Sequence, residues 1–313
     1  MNRISRLIAL TAPALGLAAF TGGALAQSAT GLDHRVIPHR VNTQPLGAPT
    51  AGSTGTITPV ITYHGGPVMA QPTIYTIWYG NWAQANGTDT AAGQDIVRDF
   101  LSGLGGSGYY MINHSYANVS GALTVGGETT DSGSQSVRLT DSKVQAVVSS
   151  AITSGRLPTD SNGIYLVLTS SNIAENSGFC NRYCGWHTSG TIAGTNIKYS
   201  FVGNAARCPT SCAAQSVGPN GNAGVDGMIS VIAHEIEEAN TDPNPTSGWA
   251  DSGGAENADK CAWTFGQSLN KAANGAYFNV TLNARSGGTR NYLVQRNLDS
   301  SSKCWVDFVA RTQ

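Results

Sequence analysis

Residues 224–243 constrain the fold more than any other stretch of this chain. The run Gly224-Val225-Asp226-Gly227-Met228-Ile229-Ser230-Val231-Ile232-Ala233-His234-Glu235-Ile236-Glu237-Glu238-Ala239-Asn240-Thr241-Asp242-Pro243 predicts one long helix. Val225, Met228, Ile229, Ile232 and Ile236 recur every three or four residues and form one apolar stripe. At about 100° per residue, His234 and Glu238 fall together nearly opposite that stripe, with Glu235 beside them. The helix is therefore expected to bury one side and present an imidazole and two carboxylates on the other. Pro243 marks its end, because a proline cannot continue a helix.

An imidazole and a carboxylate one turn apart supply two positions of a zinc ion, and the neighbouring glutamate can act as general base. The better-known pattern is His-Glu-x-x-His; here Glu238 stands in the second histidine's place, and carboxylate oxygen is an acceptable zinc ligand. The expected metal set is His234, Glu238 and Glu256, with Glu235 as the catalytic base. Glu256 comes from an acidic, glycine-rich stretch, 248–261, about one turn from Asp259. Asp259, Asp242, Asp251 and His187 are further candidates, either as ligands or as groups that orient one. Calcium is the alternative cation, with Asp242, Asn244, Asp251 and Asn257 as oxygen donors, although the regular spacing of an EF-hand is absent. A solvated acidic helix face that happens to carry a histidine competes with all of these.

The N-terminus fixes the expected compartment. Arg3 and Arg6 precede an apolar run from Leu7 to Phe20, and Ala24-Leu25-Ala26 offers a cleavage site. Residues 1–26 read as a secretory signal peptide, too short in its apolar part to span a membrane. Residues 27–58, rich in Ala, Gly, Thr and Pro, read as a flexible lead-in or removable pro-segment that includes His34, Arg35, His39 and Arg40. Residues 59–313 read as a single domain. A formal net charge of -1 with 12% charged residues gives no basic patch for nucleic acid. Six cysteines suit an oxidising compartment. The expected bridges are Cys180–Cys184, Cys208–Cys212 and Cys261–Cys304; a four-cysteine zinc site from the first two pairs is the alternative.

Thr73 to Tyr79, Ile164 to Leu168 and Ile197 to Val202 read as strands, and Val60 to His64 as a weaker one. Two further strands are expected between Tyr109 and Val125, with a break near Asn118. Ala91 to Leu104 and a segment capped by Asp141 read as helices. The order predicts an α+β domain: a twisted mixed sheet backing a central helix, zincin-like, with a disulfide-tied irregular C-terminal part.

The chain also resembles the phosphate-induced protein 1, or EXORDIUM, family. The resemblance is carried by Tyr63-His64-Gly65-Gly66-Pro67, Ile77-Trp78-Tyr79-Gly80, Gly178-Phe179-Cys180 and Cys184-Gly185-Trp186-His187. Cys208-Pro209 with Cys212, Gly218-Pro219-Asn220-Gly221 leading into Gly224-Val225-Asp226-Gly227-Met228, and Cys261 with Cys304 add to it. It implies a secreted, cell-wall-associated protein, since plant members of the family are of that kind and have no settled biochemical activity. Those members generally lack the His234-Glu235 pair and the carboxylate at Glu238; this chain resembles microbial members that carry them. Two functions are therefore expected in competition. One is a secreted zinc metallopeptidase-like hydrolase acting on a peptide or protein. The other is a non-catalytic secreted protein that binds a cell-surface or cell-wall component, with Trp186, Trp249 and Trp263 as its contacts.

Overall fold

The computed structural model describes residues 35–38 and 49–311; the expected signal peptide, with His34, His39 and Arg40, lies outside the described residues. Among the described residues, no helix is long and apolar enough to cross a membrane.

A six-stranded mixed sheet forms the centre. Its strands are β1 (Arg35–Pro38), β2 (Thr73–Tyr79), β3 (Thr124–Asp131), β4 (Gly163–Thr169), β5 (Tyr183–Ile192) and β6 (Thr195–Val202). The spatial order is β1-β5-β6-β4-β2-β3. The neighbours β6, β4, β2 and β3 run parallel, while β5 is antiparallel to both β6 and β1. Every residue of β4 is buried, as expected of a central parallel strand covered on both faces. Its sequence, Gly-Ile-Tyr-Leu-Val-Leu-Thr, is accordingly a continuous apolar run rather than an alternating one.

Three helices cover the sheet. Helix α1 (Ala91–Leu104) is capped by Thr90, whose side chain accepts from the Gly93 N–H, and buries Ile96, Val97, Phe100, Leu101 and Leu104. Helix α2 (Asp141–Thr153) packs on β4 and β6. Its cap is Thr140 rather than the expected Asp141, which becomes the first helical residue and lies favourably at the positive end of the helix dipole. Helix α3 (Ala223–Thr241) is the helix expected from residues 224–243. It starts at Asn222, whose side chain accepts from the Val225 N–H, and ends one residue before the Asp242-Pro243 pair. It packs against α1 and against β5, β6 and β4.

Two local expectations are corrected. The segment from Tyr109 does not form two strands: Tyr110–Ser115 is a 3₁₀ helix, and the strand there begins only at Thr124. The break at Asn118 is real, with φ at +66°. The loop expected between Cys180 and Cys184 runs directly into strand β5 at Tyr183. Its glycines and cysteine hide a ten-residue strand that pairs along its length with β6. The lead-in contributes β1 to the sheet edge, and residues 50–57 also bond to the C-terminal part: Phe265 N–H donates to the Thr50 carbonyl and Ile57 N–H to the Ser302 carbonyl.

The C-terminal part is built of short ribbons. Val280–Asn283 pairs with Thr289–Tyr292, Asn297–Leu298 with Cys304–Trp305, and Trp249–Ala250 with Thr62–Tyr63. Bridge Cys261–Cys304 ties it together, as expected. The other two bridges differ from the local pairs expected: they are Cys180–Cys208 and Cys184–Cys212. The cause is a helical turn, Pro209–Cys212, which sets Cys208 and Cys212 one turn apart, opposite Cys180 and Cys184 at the entry to β5. Because all six cysteines are bonded, the four-cysteine zinc site is excluded.

Candidate functional site

Helix α3 is buried all round, so its polar face meets protein instead of solvent. Gly224–Asp226 and Met228–Thr241 are all buried, and His234, Glu235, Glu237 and Glu238 each expose 0% of their surface. The solvated-face reading is thereby overturned. Three other elements close over that face: strand β5 with His187, the Asp242 corner, and the segment carrying Glu256 and Asp259. Gly185 lets β5 come close, since a Cβ there would lie 2.6 Å from Val231 Cγ1 and 2.9 Å from Glu235 Oε1.

His234 Nε2 lies 2.7 Å from Glu238 Oε1 and 3.6 Å from Asp259 Oδ1. His187 Nδ1 lies 3.4 Å from Glu238 Oε2 and 3.6 Å from Glu235 Oε2, and its Nε2 lies 3.6 Å from Glu256 Oε1. His187 Nε2 is also 3.2 Å from the backbone carbonyl of Asp242, which can only accept, so this contact places the proton on Nε2. The Asp259 backbone N–H donates to Glu238 Oε1 at 3.0 Å, locking the downstream segment to the helix. Two groups emerge that can each gather around one ion: His234, Glu238 and Asp259, and His187, Glu238 and Glu256. Glu256 thus pairs with His187, while Asp259 is the carboxylate that reaches His234.

The other candidates serve elsewhere. The Asp242 carboxylate accepts from the backbone N–H groups of Thr246, Ser247 and Gly248 and so stabilises the turn after the helix. Asp251 accepts from the N–H groups of Gly253 and Ala255 and pairs with Lys260. Asn257 donates to Asn113 Oδ1 and to the Glu237 carbonyl. Of the oxygen donors weighed for calcium, the carboxylates Asp242 and Asp251 belong to neither of the two groups that gather around His234 and His187.

Most ligand-type atoms of the cluster have no hydrogen-bond partner. They include His187 Nδ1, both His234 nitrogens, both oxygens of Glu235 and of Glu256, Glu238 Oε2 and Asp259 Oδ1. Buried polar groups are normally satisfied, so this concentration is itself a signal. The contact of 2.7 Å between His234 and Glu238 has the proximity of a hydrogen bond without its direction. A tetrahedral zinc with bonds of about 2.0–2.1 Å would hold neighbouring ligand atoms roughly 3.3 Å apart. The imidazole and carboxylate donors suit zinc in chemistry, and the His187 contacts of 3.4 and 3.6 Å are close to its spacing, while the 2.7 Å between His234 and Glu238 is tighter.

Electrostatics separate the carboxylates. Burial alone would raise Glu238, but the His234 and His187 imidazoles beside it hold it down at about 2. Burial pushes Glu235 up to about 7, with the two histidines opposing and the Glu238 charge adding to the rise. Burial also raises Glu256 well above the usual carboxylate range and raises Asp259. Desolvation would lower His234, yet the Glu238 charge and the Asp259 contact lift it to about 10. The cluster holds more buried carboxylates than imidazoles, and the surplus needs protons or another cation.

Behind the cluster lies a polar network that no local pattern of residues announces. Asn297 Nδ2 donates to Glu237 Oε2 at 2.8 Å and to Asn113 Oδ1 at 2.7 Å; Asn113 Nδ2 donates to Asn240 Oδ1 at 2.9 Å. These contacts join the 3₁₀ helix, α3 and the C-terminal part. They fix where the segment bearing Glu256 and Asp259 can lie.

Residues 61–306 match the model of the phosphate-induced protein 1 conserved region. Protein EXORDIUM-like 3 of Arabidopsis thaliana is 33% identical over 276 residues, covering 74% of this chain and 78% of the relative. Protein EXORDIUM-like 5 of the same plant is 31% identical over 266 residues, covering 73% and 70% respectively. No solved structure matches. By its family match and by these relatives, the chain belongs to the phosphate-induced protein 1 (EXORDIUM) family.

Proposed function

We propose that this chain is an extracellular, non-catalytic protein of the EXORDIUM type, acting at a cell surface or wall, whose histidine–carboxylate cluster clasps a metal ion to hold its parts together. The observation that supports this most is closure. His187, His234, Glu235, Glu238 and Glu256 expose 0% of their surface, and none of the principal surface hollows is lined by them. Only Asp259 touches the outside, with 13% of its side chain exposed. A site built to cleave a polymer needs an open ligand position reachable from solvent, whereas structural zinc sites are closed. Bound there, zinc would join α3, β5 and the 256–261 segment, and through Cys261–Cys304 the C-terminal part. Three disulfides support export to an oxidising compartment.

Trp186 is fully buried and drops out as a surface contact. Tyr63 takes its place: it is 50% exposed and lies beside Trp249, ring centroids 5.5 Å apart, on a short ribbon at the surface. An aromatic pair of this kind suits a sugar ring of a wall polysaccharide. The test has two readings. Metal content is measured on chelator-free secreted protein, and urea unfolding is compared before and after metal removal. Stoichiometric zinc whose removal lowers the unfolding free energy by several kcal/mol, about 4 at a thousandfold excess over Kd, supports the clasp; metal-free protein of undiminished stability refutes it. Retention on insoluble wall polysaccharide that is lost in Tyr63→Ala supports the surface assignment.

A second reading is kept by one observation. Glu235 stands beside His234 with both carboxylate oxygens unpartnered, as a general base would. A helix laid on a mixed sheet also suits a zincin-like hydrolase. Under this reading His234, Glu238 and a downstream carboxylate would hold zinc for Lewis-acid chemistry, and Glu235 would take a proton from the attacking water and pass it to the leaving amine. Glu235→Gln would then keep the metal and lose all peptide cleavage; absence of cleavage in the unaltered protein decides for the clasp.

A further inference from the structure

We infer that the cluster is a two-cation site in which Glu238 bridges a pair of divalent transition ions, one on the His234 side and one on the His187 side. The inference deepens the metal-clasp reading and rests on it. Its basis is the arrangement of Glu238. One oxygen, Oε1, faces His234 Nε2, and the other, Oε2, faces His187 Nδ1. The two potential ligand groups share this residue alone: His234 and Asp259 complete one, His187 and Glu256 the other. A carboxylate that turns a different oxygen to each of two imidazoles has the form of a bridging ligand, and bridged pairs of ions sit about 3.5–4 Å apart.

His187 supplies the independent observation. Its Nε2 proton is claimed by the Asp242 carbonyl, so Nδ1 is the nitrogen whose lone pair is open to an ion or to a second proton. That lone pair has no hydrogen-bond partner, is fully buried, and faces Glu235 Oε2 and Glu238 Oε2 at 3.6 and 3.4 Å. A lone pair and two carboxylate oxygens repel one another unless something positive lies among them. One ion on the His234 side leaves that repulsion to be met by a second ion or by a proton on Nδ1, and the metal stoichiometry tells the two apart. The nitrogen donors favour a zinc-class ion over calcium or magnesium, which take oxygen.

The test is stoichiometry. The full-length secreted protein is stripped with chelator, loaded with zinc, dialysed and measured by mass spectrometry. Two equivalents per chain are expected, falling to one in His187→Ala, to one in Asp259→Asn, and to none in Glu238→Ala. A single equivalent in the unaltered protein, unchanged by His187→Ala, overturns the second ion and leaves the clasp standing; none at all overturns both. Titration of the stripped, unaltered protein with cobalt(II), read by visible absorption, needs no variant. Absorption that rises to two equivalents supports the pair, and saturation at one overturns it even if every variant fails to fold.

Discussion

Removing the two crossed bridges tests how the polypeptide is tied around the site, and the structure fixes the expected cost. Cys180–Cys208 and Cys184–Cys212 each span 28 residues. In the chain-entropy model, closing a loop of that length contributes about 3.6 kcal/mol at 25 °C. The second bridge adds less, because the first already joins the same two segments. It closes a ring of only about eight residues, four on each side, worth about 2.5 kcal/mol. Replacing Cys184 and Cys212 by alanine should therefore cost about 2.5 kcal/mol, and replacing all four cysteines about 6 kcal/mol, more than twice the single loss. Two independent local bridges, closing four residues each, would give about 1.9 kcal/mol apiece and simply add. Urea unfolding of the two variants separates these outcomes. A total of about 6 kcal/mol rivals the whole stability of many domains, so the four-cysteine variant is expected to be largely unfolded at 37 °C. Trypsin offers a direct check because Arg182 lies between Cys180 and Cys184, and Arg207 immediately precedes Cys208. Digestion without reduction should yield one cluster joining peptides 157–182, 183–198 and 208–260. Release of peptide 208–260 on its own would show local pairing and refute the reasoning.

Two further outcomes are expected. Asp99 is buried and accepts from Arg285 Nε at 3.1 Å and Arg290 Nη2 at 2.8 Å, pinning α1 to the Val280–Tyr292 hairpin. Burial opposes ionisation of Asp99, but its arginine partners prevail and hold its pKa below the usual carboxylate value. The stabilisation is therefore present above the unfolded carboxylate pKa of about 3.9 and disappears as pH falls through the lower folded value. Asp99→Asn should cost about 1–2 kcal/mol at pH 7, with the gap to the unaltered protein closing below pH ~4; a gap independent of pH across that range contradicts it. Gly185→Ala forces a methyl group against Val231 and Glu235. It should lower stability by about 1–3 kcal/mol and weaken zinc retention, both read from urea unfolding with and without metal; unaltered stability would mean that β5 and α3 do not approach so closely.

The sequence alone determined the elements whose signals are local. The 3.6-residue stripe of α3, the apolar run of β4 and the Thr73–Tyr79 strand are legible because periodicity and side-chain shape act over a few residues. The grouping of His234, Glu235 and Glu238 is likewise a property of one helix. Family membership was legible for the same reason, in short unusual strings kept in order. Local reading failed where the deciding partner is distant. Strand β5 is broken in sequence by Cys184, Gly185 and Gly190, and becomes a strand because β6 and β1 pair with it. The cysteines pair across 28 residues because a turn after β6 stands against the start of β5, which no spacing rule reveals. Which face of α3 would see water was also undecided, since the amphipathic pattern does not record that β5 and the C-terminal part fold over the polar side. Only tertiary structure brings His187 from a strand and Asp259 from a short 3₁₀ turn to the helix. The gathering of ligands is a long-range event, set by chain topology and by the buried asparagine network around Glu237.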